Sequence, residues 1–183
     1  MTGPAPVKRR ALLGSGTAWR VALLLAFALT TRLGAQDTSD VTTEFFGAKN
    51  QTLVRMGKLS LDGQNQLGAF YSFAGRAQQA PVPELTLHFV RSGSQWAYAY
   101  DYNVVVVLDD KTRMPLPRAR RSTSVGEGYR LEQIFIAVSR EQAAQIAQAR
   151  KVQMSVGTSA FVWTDSLQRA FRQMSAMAGG GGR

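Results

Sequence analysis

The sequence predicts one α+β domain: a curved antiparallel sheet or small β-sandwich of about seven strands, with two helices near the C-terminus. Three observations predict it. Apolar residues alternate with period two along most of residues 51–163, as in half-buried strands. Short turn-forming segments separate most of these runs, which favours antiparallel pairing of neighbours. The apolar spacing becomes helical only after Ser139.

The first three predicted strands lie between residues 52 and 91. Thr52–Leu61 has its leucines on one parity, and Asp62-Gly63 is a hairpin-type turn signal. Leu67–Phe73 and Glu84–Arg91 also alternate, with a polar, proline-containing loop between them. These runs predict strands with one buried face each.

The longest predicted strand extends from Trp96 to Leu108. Every second residue is apolar, and a strand of this length bends or joins two packed sheets. These residues are Trp96, Tyr98, Tyr100, Tyr102, Val104, Val106 and Leu108. Residues 109–127 are predicted to form a long loop, because Pro115 and Pro117 oppose regular strand pairing.

The C-terminal third combines strands and helices. A strand over Tyr129–Val138 is followed by Ser139 and Gln142, whose spacing is that of a capping box for a helix over 139–150. Short strands are predicted over 151–156 and 160–163. Thr164 is placed to cap a final helix that ends near Met177.

The two ends are predicted to lie outside the domain, which spans residues 51–177. Residues 1–35 have the pattern of a secretory signal peptide: a basic start, the apolar run Val21–Leu29 and a cleavage site near Ala35. Arg9-Arg10 also fits a twin-arginine export signal in part, and an uncleaved amphipathic tail is the remaining alternative. Residues 36–50 are predicted to be a flexible leader or a short helix capped by Asp40. Residues 178–183 are predicted to be a flexible glycine-rich tail.

Composition narrows the function classes. The first 35 residues hold five of the 22 basic residues and none of the 12 acidic ones, so the remainder has a net charge of +5. A surplus of this size does not indicate nucleic-acid binding, and none is predicted. With no cysteine, the chain has neither disulfides nor the acylation site of a lipoprotein. The predicted location is the periplasm, the cell surface or the extracellular space of a bacterium.

Two surfaces are predicted as binding sites. Tyrosine and tryptophan rows bind flat ligands when they are exposed, and form a sheet's inner face when they are not. This row is Trp96, Tyr98, Tyr100 and Tyr102. Arginines beside apolar residues suit anionic lipid or an acidic partner, whereas the alternative is a solvated connector. This second group is Lys111, Arg113, Arg118, Arg120 and Arg121.

The sequence offers little for catalysis, and we predict that the protein is not an enzyme and carries no cofactor or metal. His88 is the only histidine and has no acidic residue at metal-ligand spacing. There is no cysteine and no Gly-x-Ser-x-Gly nucleophile elbow. A carboxylate pair drawn from Asp101, Asp109 and Glu132 would be needed for hydrolysis, although adjacent aspartates such as Asp109-Asp110 are more often turn formers.

The predicted function is therefore an exported, non-catalytic binding or interaction protein of a bacterial envelope. Its partner would be an envelope protein, a glycan or a small apolar molecule, with peripheral contact to anionic lipid as a further possibility. No transmembrane helix is predicted after residue 35. The alternatives are an exported hydrolase with a carboxylate site and a small outer-membrane β-barrel.

Overall fold

Ten strands and two helices are present in a computed structural model that describes residues 40–116 and 118–180. The strands are β1 (Val41–Phe46), β2 (Gln51–Ser60), β3 (Asn65–Ala74), β4 (Glu84–Gly93), β5 (Val104–Leu108), β6 (Thr112–Leu116), β7 (Ala119–Gly126), β8 (Tyr129–Ser139), β9 (Val152–Val156) and β10 (Ser159–Val162). The helices are α1 (Arg140–Gln148) and α2 (Asp165–Ala178). The predicted export signal over residues 1–35 lies outside the described residues.

The strands form two antiparallel sheets. The larger has six strands in the order β1-β2-β3-β4-β8-β7, and the smaller has four in the order β10-β9-β5-β6. All of their pairings are antiparallel. Together with the two C-terminal helices, they confirm the predicted α+β class.

One hydrophobic core joins the two sheets and both helices. Along β4 and β8, alternate residues such as Leu87, Phe89 and Ile136 are fully buried, and they define the inner face of the six-stranded sheet. The ring of Phe89 lies 5.6 Å from that of Phe161 in β10, so the two sheets meet there. The helices contact β1, β2, β4 and β8.

Both predicted helices begin at their predicted caps. The Ser139 side chain accepts a hydrogen bond from the Gln142 N–H, and the Gln142 side chain accepts one from the Ser139 N–H. In α2, the Thr164 hydroxyl accepts the Leu167 N–H. Each cap satisfies backbone donors that the first helical turn leaves unpaired.

The predicted long strand over Trp96–Leu108 was wrong in its first half. Only Val104–Leu108 forms a strand, while residues 94–103 are an irregular connection between the two sheets. The physical reason lies in the backbone N–H groups of Ala97 and Tyr98, which donate to the buried carboxylate of Glu132 at 2.8 and 3.0 Å instead of to a strand. The apolar alternation is present, but the donors are engaged by a side chain.

The predicted 109–127 loop was also wrong, because it contains β6 and β7. Pro115 lies within β6, which is an edge strand of the smaller sheet, and β7 is an edge strand of the larger one. An edge strand tolerates proline because one row of its backbone groups needs no sheet partner. Asp109 and Asp110 have φ values of 51° and 59° and form the tight turn between β5 and β6, as expected of turn formers.

The segment before residue 50 is more ordered than predicted. Residues 41–46 of the predicted leader form β1, which pairs with β2 and is the other edge of the larger sheet. Its side chains are mostly exposed, and an edge strand with few buried residues leaves little apolar pattern in the sequence. At the opposite end, Gly179 and Gly180 form a turn after α2.

Candidate functional site

Three aromatic side chains cluster on the outer face of the six-stranded sheet, opposite the core. Phe70 lies in β3, His88 in β4 and Phe135 in β8, and all three are half-buried. His88 pairs directly across the strands with Phe135, and their rings stack with centroids 4.5 Å apart and planes 11° from parallel. The Phe70 ring meets each of the other two edge-on at 6.4 Å. We call this cluster the aromatic face.

The surroundings of His88 favour its uncharged imidazole. Burial disfavours its protonated form and lowers its pKa from the ordinary value of 6.5, and the positive charge of Lys58 lowers it further. A hydrogen bond between the Nε2 atom and the Gln133 side chain, at 2.9 Å, acts in the opposite direction but does not outweigh burial. The surroundings of His88 therefore favour a neutral imidazole at the centre of the aromatic face, and one of its two ring nitrogens, Nε2, is already hydrogen-bonded.

Two shallow depressions flank Phe70. The first has a volume of about 600 Å³ and lies between Phe70, Phe135 and the start of β7, where Arg118 and Arg120 border it. The second has a volume of about 490 Å³ and lies between Phe70, His88 and β2, where Lys58 borders it. Because Phe70 lines both depressions, the aromatic face separates two basic margins.

A β-bulge brings Lys58 to this face. In β2, Met56 pairs with Ala69 and Leu59 pairs with Leu67, so two residues of β2 stand opposite Gly68 alone. A Cβ atom at Gly68 would lie 3.2 Å from the Met56 carbonyl oxygen and 3.4 Å from Lys58 Cγ. The glycine therefore leaves room for the bulge, and the bulge places Lys58 beside the second depression.

The margins of the aromatic face have a surplus of positive charge. Arg118 forms an ion pair with Glu84 at 3.1 Å, and Arg55 forms one with Glu44 at 2.5 Å. Along the part of the chain that the structure describes, Lys58 and Arg120 form no ion pair. Such a surface is electrostatically suited to an anion.

The predicted aromatic row does not form one surface. Tyr98 is buried against Phe89, with ring centroids 5.4 Å apart, whereas Tyr100 is fully exposed. Trp96 lies between the guanidinium groups of Arg121 and Arg130, each 5.3 Å from its ring centre. Tyr102 packs partly buried against the core. The four side chains separate because the segment that carries them is not a strand.

The predicted basic group is likewise divided between two sheets. Lys111 lies in the β5–β6 turn and Arg113 in β6, both in the smaller sheet. Arg118 and Arg120 border the aromatic face, while Arg121 has the opposite parity in β7 and reaches the buried Glu132. Two of the five predicted residues thus contribute to the candidate site.

The candidate acids each have a structural partner, and in the contacts described no two of them share one. Glu132 accepts hydrogen bonds from Arg121 Nη2 at 2.8 Å and lies 3.5 Å from Arg91 Nη1. Asp109 accepts the N–H groups of residues 150 and 151, both at 2.9 Å. Asp101 accepts the Asn103 N–H at 3.1 Å. These contacts use the three carboxylates to hold loops, turns and strand ends in place.

The aromatic face itself was not predicted as a site. The sequence places His88 on the face opposite its leucine neighbours, which was the available signal. Phe70 and Phe135 lie in predicted strands, but their meeting with His88 depends on the β3–β4–β8 register. That register is set by pairings between distant residues.

Comparisons with known proteins found no matching family model, no similar curated protein and no similar solved structure. Among residues 40–116 and 118–180, no group of three or more His, Asp or Glu residues is placed to hold a metal ion. The same residues contain no helix with the length and apolar character needed to span a membrane.

Proposed function

We propose that this chain is an exported, non-catalytic binding protein whose ligand site is the aromatic face. The observation that carries this proposal is the stacked and edge-on cluster of Phe70, His88 and Phe135, half-exposed between two basic margins. Aromatic and apolar side chains with a few polar groups at the rim are typical of small-molecule sites. Partly exposed rings that pack on one another offer a ligand apolar contact without rearrangement.

The placement of the acids supports a non-catalytic role. Glu132 and Asp109 accept backbone N–H groups of segments distant in the chain, and Asp101 accepts one within its own loop. Catalysis by a carboxylate pair needs two acids that face one cleft at a defined separation. The aromatic face instead has one neutral imidazole at its centre, held by Gln133.

Fluorescence titration with 1-anilinonaphthalene-8-sulfonate, a flat aromatic anion, tests the site. We expect saturable binding that weakens roughly tenfold in Phe135→Ser, because the variant loses a ring of the stacked pair. The matched control is Val125→Ser, which removes an exposed apolar side chain of β7 and should leave affinity within about twofold. Equal affinity in Phe135→Ser and the wild-type protein would show that the aromatic face is not the site.

Export is tested separately. Amino-terminal sequencing of the protein recovered outside the cytoplasm should begin near Gln36 if the predicted signal is removed after Ala35. Recovery of the chain only in the cytosol, with Met1 retained, would contradict the exported location. That result would leave the binding titration unaffected.

A further inference from the structure

We propose that the aromatic face binds a medium-chain acyl carboxylate, with the chain across the three rings and the carboxylate at Lys58. This inference rests on the proposed function and adds the class of the ligand. Three features of the described residues support it: the largely apolar centre, the cation beside the bulge and the width of the sheet.

The centre of the face favours an apolar chain over a polar ligand. The His88 Nε2 atom is already hydrogen-bonded to Gln133, and the flanking Phe70 and Phe135 rings have no hydrogen-bonding groups. The strands that carry these rings are internal to the sheet, so their backbone groups are paired with neighbouring strands. A sugar or peptide lying there would lose water from many polar groups and find few partners besides Thr86 and Gln133, which costs affinity.

Charge complementarity favours an anionic end at Lys58. Arg55 and Arg118, on either side of the face, are already paired with acids. Lys58 and Arg120 are not, within the residues described. Of these two, Lys58 borders the same depression as His88, and its charge adds to the lowering of the imidazole pKa that burial causes. A carboxylate beside it would gain an ion pair at the end of an apolar surface.

The geometry also suits an elongated ligand. Between Gly68 in β3 and Arg120 in β7 the sheet has three strand-to-strand steps, through β4 and β8. At about 4.8 Å for each step, the distance is roughly 14 Å. The Lys58 side chain passes close to Gly68, so an acyl chain whose carboxylate lies over Gly68 can pair with it. Such a chain would run beside Phe70, cross His88 and Phe135, and end beneath the alkyl stem of Arg120, which can cover apolar surface while its charge stays in water.

Calorimetric titration of the full-length chain with decanoate, decanol and decyltrimethylammonium tests the class. We expect decanoate to bind saturably and roughly tenfold more tightly than decanol, with the ammonium weakest. Lys58→Met should remove the preference for decanoate over decanol. The matched control is Lys151→Met, which removes an exposed lysine beside the smaller sheet, where it pairs with Asp110. This variant should keep the ratio of decanoate to decanol affinity within about twofold of the wild-type value.

The single histidine provides a second readout by NMR. The charged groups on its face are Glu44, Lys49, Arg55, Lys58, Glu84, Arg118 and Arg120. A carboxylate bound beside Lys58 offsets the repulsion on protonated His88, so decanoate should raise the pH midpoint of its titration while decanol should not. Lys58→Met should raise the midpoint without any ligand. Because unfolding would also raise it, the dispersion of the amide signals in the same sample checks that the variant is folded.

The possible failures are distinguishable. If decanol binds as tightly as decanoate, or if Lys58→Met keeps the preference, the carboxylate class is wrong while a Phe135→Ser effect would still support the site. Tighter binding of a single-stranded oligonucleotide or an acidic peptide at the same face would also overturn the acyl class. If no ligand's binding responds to Phe135→Ser, the proposed function fails as well.

Discussion

Replacement of Glu132 by glutamine should destabilise the protein more than any other acid-to-amide change on the larger sheet. The carboxylate is fully buried, and it accepts the N–H groups of Ala97 and Tyr98 as well as the guanidinium of Arg121. Arg91 completes the cluster at 3.5 Å. A glutamine has nearly the same shape, but its NH2 group would face donors, and the two half-buried arginines would lose their counter-charge.

The magnitude follows from the burial of these charges. Removing one partner of a buried ion pair costs about 3–5 kcal/mol, because the remaining charge is left uncompensated. The whole free energy of unfolding of a natural domain is about 5–15 kcal/mol, so this change is a large part of it. For a domain of this size we expect the melting temperature to fall by roughly 10–20 °C.

Urea unfolding at pH 7 measures the effect, with Glu127→Gln as the matched control. Glu127→Gln is the same chemical change at an exposed turn between β7 and β8, where the free energy of unfolding should fall by less than about 0.5 kcal/mol. If Glu132→Gln lies within about 1 kcal/mol of the control, the buried cluster does not stabilise the fold as argued.

The pH dependence has a definite sign. Burial alone would raise the Glu132 pKa, but the Ala97 N–H, the Arg121 side chain and the Tyr98 N–H together hold it below the ordinary value of 4.5. The unfolded chain therefore takes up the proton first as pH falls. The stabilisation by Glu132 should be fully present above about pH 4.5 and should decline as the pH falls through the lower pKa of the folded state. Over that range, the difference in free energy of unfolding between the wild-type protein and Glu132→Gln should become smaller.

Three further changes test local geometry, each by urea or thermal unfolding. Asp110→Gly should raise stability by up to about 1 kcal/mol, because φ is 59° there and the Lys151 pair it removes is exposed; a loss would mean that this turn is not strained. Gly157→Ala should cost about 2 kcal/mol or more, since φ is 54° and the new Cβ would lie 2.6 Å from the Asp101 carbonyl oxygen; a neutral result would contradict that close approach. Ser139→Ala should cost about 1 kcal/mol through loss of the helix cap, and no change would mean that the cap contributes nothing.

The features predictable from the sequence are those that local residues decide. The caps at Ser139 and Thr164 act within one helical turn, so their spacing alone predicts where the helices begin. The inner parity of β3 and β4 is also local, because burial of one face requires alternation.

What could not be predicted depends on partners far along the chain. Apolar alternation over residues 96–103 resembles a strand, yet Glu132, 34 positions after Tyr98, engages the backbone there. Prolines suggested a loop over 109–127, but only the strand order shows that β6 and β7 lie at sheet edges where proline is tolerated. The aromatic face depends in the same way on register, since Phe70 and Phe135 meet through β4.

Hydrogen bonds anchor the connection over residues 94–103 on both sides of Tyr100. Glu132 holds Ala97 and Tyr98, and the Asn103 carbonyl accepts the Gly157 N–H at 2.9 Å. Tyr100, between these anchors, projects fully into solvent. Exposed loop tips of this kind accept inserted sequence. A fluorophore or affinity tag attached at residue 100 should therefore label the protein while leaving both sheets unchanged.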